Sequence, residues 1–463
     1  MHIDGRDITL ADFMTALSSD TTLTVSPDIT TRLKTARAHI DTAATGNTPI
    51  YGLNTGLGAN LGHRLSPDEI TAFQRQILEG RATAVGDPLP PETGRAVILY
   101  RILSAAKGCS GISPALFDHL VTCFNTGFSP TIPRYGSIGA GDLTQLASWA
   151  LQICDASGAP DLQAKDAMAL INHTGLTITL AANALSAART ALRMAHHAVL
   201  LTYIGYDANR DVLSEAANTL RPAQGQTTFA QWLRSHLNGT ENQPRRIQEA
   251  LSIRTAHTTL GAAQHALDQA IQTLETELNA TSDSPALLSD GSLISTANFH
   301  TPALCLALDT TRLALSRVAS DSLQRTQRLM NPYLTGLPKY LSPTGGASAG
   351  FVPAQKTAAA LLADIQAHAT PPMPPAPVSD SVEDVAPMTP QSATQLSALI
   401  TPLKLLLGLE ARTALQAIHL RDPNLGPNAK SILDALSTEI PPLTTDRPLG
   451  PKIEKAARLL ERL

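Results

Sequence analysis

From residue 177 onward, apolar residues return every three or four positions over long stretches. Residues 177–208 place Leu180, Ala184, Leu185, Ala188, Leu192 and Ala195 at this spacing. Residues 256–279 repeat it with Leu260, Ala263, Ala266, Ile271 and Leu274, and residues 302–330 with Leu304, Leu308, Leu315 and Val318. A period near 3.6 predicts three amphipathic helices, and Pro302 suits a first helical turn. Long striped helices predict a bundle, and the many alanines in the stripes let helix backbones approach closely. Residues 1–175 are instead punctuated by Gly and Pro, which predicts short elements joined by loops. Residues 370–390 hold Pro371, Pro372, Pro374, Pro375, Pro377, Pro387 and Pro390 and read as an extended loop. The expected protein is mainly α, with a loop-rich N-terminal domain over 1–175 and a central helical bundle with a C-terminal helical region over 176–463.

Composition narrows the function classes. With 463 residues the chain can bury a large core, and an aromatic content of 4% favours helices packed through aliphatic side chains over a β-sandwich. The formal net charge of −4 excludes a strongly basic footprint, so neither nucleic acid nor an anionic membrane is an expected partner. The start, Met1-His2-Ile3-Asp4, has no basic then apolar run of the secretory kind. No apolar segment reaches bilayer length without a charged or polar break. Cys109, Cys123, Cys154 and Cys305 lack metal or disulfide spacing. A cytoplasmic protein without a metal is expected. The adjacent His196-His197 diverge by about 100° on a helix and make a poor chelating pair. The glycines of Gly136-Ser137-Ile138-Gly139-Ala140-Gly141 do not have dinucleotide-fingerprint spacing.

Chemistry enters through a collinear set of blocks: Tyr51-Gly52-Leu53-Asn54-Thr55-Gly56-Leu57-Gly58, Lys107-Gly108-Cys109-Ser110-Gly111, Tyr135 to Leu146, Ala169-Leu170-Ile171-Asn172-His173-Thr174, Gln248 to Arg254, Glu277 to Pro285, Asn298-Phe299-His300, Gln355-Lys356-Thr357 and Glu383-Asp384. In this order they resemble the motifs of the histidine and aromatic amino acid ammonia-lyases. The resemblance implies the long-helix bundle of that family. It also implies a homotetramer with active sites shared among three subunits, and an amino acid as the small-molecule substrate.

The family's Gly-Ser-Val-Gly-Ala-Ser-Gly-Asp-Leu loop cyclises its Ala-Ser-Gly into methylidene-imidazolone, an electrophile that activates the amine as a leaving group. Here the matching loop runs Gly139, Ala140, Gly141, Asp142. The serine is absent and no cysteine replaces it, so this prosthetic group is expected to be absent. Elimination requires a base for the weakly acidic β-hydrogen. The resemblance implies Tyr51 in this role, tuned from the ordinary phenol value near pH ~10. It implies Arg254 on the substrate carboxylate, where a planar fork suits two oxygens. Asn298 and Asn172 are implied at the carboxylate and the reactive-type loop, and Glu383 in cation recognition or proton handling. Arg81 takes the family's selectivity position, and Lys356, also expected at the substrate, replaces a usually uncharged residue. Asp142 is expected to order the loop by local hydrogen bonds, and His300 to be structural. Leu251, His173 and Val385 stand where the family has a tyrosine, a glycine and a histidine.

A site lacking the electrophile can still expel a better leaving group. A trimethylammonium already carries the charge, and ergothionase, which acts on a trimethylated betaine, is a relative that works without the ring. The expected activity is therefore α,β-elimination from an amino acid or its betaine to an acrylate. A conventional ammonia-lyase acting on an imidazole or aromatic amino acid, and a non-catalytic amino acid or betaine binder, are the alternatives.

Overall fold

The structure, a computed structural model, describes residues 1–50, 52–55, 64–372, 377–379 and 383–463. Four long helices dominate: Gly175–Tyr206, Ala256–Leu278, Pro302–Leu329 and Thr389–Arg421. The first three lie within two residues of the segments expected from apolar periodicity. The fourth is the longest, at 33 residues, and contains Pro402 in its interior. It begins at Thr389, at the end of the proline-rich segment that reads as an extended loop. Thr389–Arg421 is long and apolar enough to cross a membrane. Most of it is buried inside the protein, and it carries the buried charges Glu410 and Arg412.

The chain forms two compact units, each built from three stretches. The first comprises Met1–Ala184, Ile271–Leu308 and Pro372–Thr394, and the second Leu185–Ala270, Asp309–Pro371 and Gln395–Leu463. These interleaved units are a different division from the single cut at residue 175.

The first unit is far more helical than its Gly and Pro punctuation suggests. Three of its helices open on Ser-Pro pairs. Ser26, Ser66 and Ser113 each accept a backbone N–H of the first turn, and the following proline occupies a position whose N–H would be unpaired anyway. Ser66 and Glu69 complete a reciprocal capping box. The prolines thus start helices Pro27–Thr45, Pro67–Arg81 and Pro114–Asn125 instead of interrupting them. At the centre lies Glu92–Ala105, buried on nearly every face. It packs so closely on the loop before residue 131 that a Cβ on Gly94 would lie 1.9 Å from the Pro130 carbonyl oxygen. The Gly94 carbonyl accepts the indole N–H of buried Trp149 at 3.1 Å. Among the described residues, sheet structure is confined to three two-stranded pairs: His2–Ile3 with Thr24–Val25, Val85–Pro88 with Pro133–Tyr135, and Ala286–Leu287 with Leu293–Ile294.

In the second unit the expected close helix approach is realised through glycine. A Cβ on Gly225, in helix Gln224–Leu237, would lie 2.3 Å from the Gly261 carbonyl oxygen, in helix Ala256–Leu278. His196 packs against Phe229, with ring centroids 4.4 Å apart and the rings tilted by 30°.

Candidate active site

A buried carboxylate closes the loop 136–142. Asp142 is fully buried. Its Oδ1 accepts the Ser137 and Thr177 hydroxyls, each at 2.7 Å, and its Oδ2 accepts the Thr177 backbone N–H at 2.8 Å. Helix Leu143–Cys154 begins directly after it, and Thr177 lies in the first turn of Gly175–Tyr206. The N-terminus of Gly175–Tyr206 therefore presents its partial positive charge to this carboxylate, whereas Asp142 makes no side-chain bond to the first turn of Leu143–Cys154. Burial pushes the Asp142 carboxyl above its ordinary range, while the bonds from Thr177 and Ser137 pull the other way. The expected ordering role of Asp142 thus has a concrete geometry.

Neighbouring segments fix the loop on both sides. The Gly141 N–H donates to the Phe299 carbonyl at 3.3 Å, and Ala140 bridges to His300. The Met388 N–H donates to the Ile138 carbonyl at 3.1 Å, and the Gln391 amide to the Ser137 carbonyl at 2.6 Å. Gly141 sits at φ +74, where a side chain would be strained. Ser137, the one hydroxyl residue between Gly136 and Leu143, is committed: it donates to Asp142 and accepts the Gly139 N–H at 3.0 Å.

Asn172 stands against this loop. Its Nδ2 donates to the Ser284 carbonyl at 2.6 Å. A carbonyl can only accept, so the amide orientation is fixed. Its Oδ1 then lies 3.4 Å from where a Cβ on Gly141 would be. Next to Ser284, Asp283 receives a two-pronged bond from Arg101, at 3.1 and 3.0 Å, with both side chains buried. His173, in place of the family's glycine, is buried. Its Nδ1 accepts the Gly175 N–H at 3.0 Å, so the proton sits on Nε2 and is donated to the Leu170 carbonyl. Burial holds its pKa well below the ordinary value, so it is a neutral tie at the entry to helix Gly175–Tyr206.

Of the other expected residues in the first unit, Asn298 is exposed and donates to the Thr281 carbonyl at 3.1 Å, one residue before the strand-like contact with Gly141. Glu383 is half-buried. It accepts the Ser379 hydroxyl at 2.6 Å, and its backbone pairs with Val378. Arg81 lies half-buried in the last turn of Pro67–Arg81, the end where a helix favours a cation. Tyr51 lies outside the described residues. Its motif neighbour Asn54 is fully buried: Oδ1 accepts the Ile50 N–H at 2.7 Å and Nδ2 donates to the Thr48 carbonyl at 3.0 Å, so Asn54 staples the preceding turn.

The second unit holds Arg254 and Lys356. Arg254 ends the short helix Leu251–Arg254. It is half-buried, and among the described residues its guanidinium has no hydrogen-bond or ion-pair partner. Lys356 is exposed on Ala354–Ala367. Leu251, replacing the family's tyrosine, is 67% exposed. The sequence reading missed Ser137, Thr177, Gln391 and the Arg101–Asp283 pair. Ser137 and Asp283 lie within motifs, but the partners that give Asp283, Thr177 and Gln391 their roles are far away in the chain.

The aromatic amino acid lyase family model matches residues 8–159 and 155–438. The histidine ammonia-lyase of Deinococcus radiodurans is 31% identical over 97% of this chain and 91% of its own. That of Symbiobacterium thermophilum is 31% identical over 98% and 96%. Among solved structures, the ergothioneine-degrading enzyme ergothionase from Treponema denticola, in complex with desmethyl-ergothioneine sulfonic acid, matches with a TM-score of 0.94 at 26% identity, covering 100% of this chain and 98% of the other. Histidine ammonia-lyase from Trypanosoma cruzi matches with a TM-score of 0.90 at 28% identity, covering 100% and 93%. The fold, the loop and these matches together make this chain a member of the aromatic amino acid lyase family, within the histidine and aromatic amino acid ammonia-lyase superfamily that its motifs resemble.

Proposed function

We propose that this lyase carries out α,β-elimination on an amino-acid betaine, expelling a tertiary amine and leaving an acrylate, without methylidene-imidazolone. The observation that carries the reading is the loop 137–142. Forming the ring requires a β-hydroxyl or equivalent on the middle residue of the tripeptide, and Gly139-Ala140-Gly141-Asp142 offers none. The nearby hydroxyl of Ser137 is held by Asp142 and flanked by Gly136 and Ile138. The residues present do not fit the group.

In the proposed reaction the Tyr51 phenolate takes the β-proton, and the C–H electron pair becomes the C=C bond. The C–N bond breaks toward nitrogen, which leaves as neutral trimethylamine. No external electrophile is needed because the quaternary nitrogen carries its positive charge before the reaction. The Asn172 Oδ1, an acceptor directed at Gly141, suits a cationic headgroup better than an oxyanion. Arg254, half-buried and without a partner among the described residues, is assigned the substrate carboxylate. Asn298 assists it, while Glu383, Arg81 and Lys356 set substrate choice. The active protein is proposed to be a homotetramer with shared sites. The match to ergothionase makes a thiol-imidazole betaine the first substrate to try.

A second reading, a conventional histidine ammonia-lyase, is favoured by the relatives at 31% identity that bear that name. A panel of ergothioneine, other trimethylated amino acids and L-histidine separates the two, read by acrylate absorbance and by the amine released. The betaine reading expects acrylate and trimethylamine from a betaine and no ammonia from histidine. Rapid ammonia release from histidine, together with near-ultraviolet absorbance of the ring, would establish the second reading instead.

A further inference from the structure

We infer that the buried Arg325–Glu410 pair, together with Tyr203, positions Arg254 for carboxylate binding. The inference rests on the reading of Arg254 given above and adds three positioning residues to it. Helix Leu251–Arg254 is only four residues long, and the chain turns at Thr255 into the next helix, Ala256–Leu278. Such a short helix cannot satisfy its own last carbonyls, and unpaired carbonyls leave its orientation undetermined. Here two are taken up from other helices. Arg325, on Pro302–Leu329, donates to the Ser252 carbonyl at 3.3 Å, and the Tyr203 hydroxyl, on Gly175–Tyr206, donates to the Ile253 carbonyl at 2.9 Å. Both carbonyls lie within two residues of Arg254.

Arg325 is itself held rigidly. Its Nε and a terminal nitrogen grip Glu410 at 2.6 and 2.9 Å, and the Thr202 hydroxyl donates to the same carboxylate at 2.8 Å. Arg325 is 1% exposed, Glu410 and Tyr203 0%. Burial raises the Tyr203 hydroxyl far above the ordinary phenol value, so it stays protonated and keeps donating. A buried ion pair is a poor source of stability, since well-packed apolar replacements are commonly neutral or stabilising. What this pair supplies is geometry: Glu410 clamps Nε and one terminal nitrogen, which fixes the plane of the guanidinium and so the direction in which its other terminal nitrogen reaches the Ser252 carbonyl. The loss of either clamp lets the turn rotate and carries the Arg254 guanidinium away from its anion.

The test uses the full-length protein as Tyr203→Phe, as the apolar double variant Arg325→Met/Glu410→Leu, as Arg325→Lys and as Arg254→Met. The probes are ergothioneine and L-histidine with their carboxamides, measured by calorimetric binding and, where turned over, by KM and kcat. The thermal midpoint controls for folding. The expected result is a melting temperature near wild type with carboxylate affinity reduced about tenfold in Tyr203→Phe and the double variant. The carboxamide should be bound as in wild type, KM should rise more than kcat falls, and Arg325→Lys should be intermediate. A double variant that keeps wild-type preference for carboxylate over carboxamide, when Arg254→Met loses it, overturns the positioning role. Binding of neither probe by wild type, or an unchanged preference in Arg254→Met, overturns the carboxylate reading on which it rests.

Discussion

Replacing Asp142 by asparagine keeps the shape of the side chain and changes one oxygen into an NH2. The structure says which contacts suffer. Oδ1 keeps the Ser137 and Thr177 hydroxyls, but they now meet a neutral acceptor, at a loss of about 1 kcal/mol each. The other position, which accepts the Thr177 N–H at 2.8 Å, becomes a donor facing a donor. That buried N–H loses its bond at a cost of about 2 kcal/mol. Part of this is returned, because asparagine has no charge to desolvate and burial already raises the Asp142 pKa. The net expectation is a destabilisation of about 2–3 kcal/mol, against about 1 kcal/mol for Thr177→Val, which removes a hydroxyl but not the N–H. Trp149 is buried in the helix that Asp142 opens, so urea unfolding in a Trp232→Phe background reads this unit at a fixed protein concentration. An Asp142→Asn variant within about 0.5 kcal/mol of wild type, or a costlier Thr177→Val, would refute the reasoning.

Inserting a serine between Ala140 and Gly141 restores the family's Ala-Ser-Gly. The variant is expected to gain near-ultraviolet absorbance that wild type lacks, and equal spectra would count against the proposed loss of the ring. Gly94→Ala places a Cβ 1.9 Å from a carbonyl oxygen and should cost about 3 kcal/mol, whereas Gly80→Ala, with nothing within 4 Å, should be neutral or slightly stabilising; thermal midpoints compare them. Burial, then the charge of His197, pushes the His196 pKa from 6.5 down to about 4, so the folded state favours the neutral ring. Its contribution is present above pH 6.5 and is lost as pH falls toward 4, up to about 3 kcal/mol. His196→Leu should flatten stability over that window, and denaturation curves that shift in parallel with wild type would contradict this.

Legibility in the sequence followed the range of the interaction. The helices Gly175–Tyr206, Ala256–Leu278 and Pro302–Leu329 were readable because one buried stripe imposes a repeat every few residues. The Gly and Pro content of residues 1–175 reads as short elements joined by loops, and only the serine before each of Pro27, Pro67 and Pro114 marks these prolines as helix starts. The loop 136–142 was legible as a motif with a missing serine, and Asp142 as its anchor. Thr177, its main partner, lies 35 residues away and was not.

What the sequence determined alone was the family-type motif order, the long helices and the absence of a ring-forming serine, because each is written in adjacent or periodically spaced residues. What only the tertiary structure decided was which buried charges meet. Arg101 finds Asp283 across 182 positions and Arg325 finds Glu410 across 85. No local pattern marks such pairs. A charge buried in a helix core needs a counter-charge or hydrogen-bond partners, and the fold alone determines which residue of a distant helix is brought within reach.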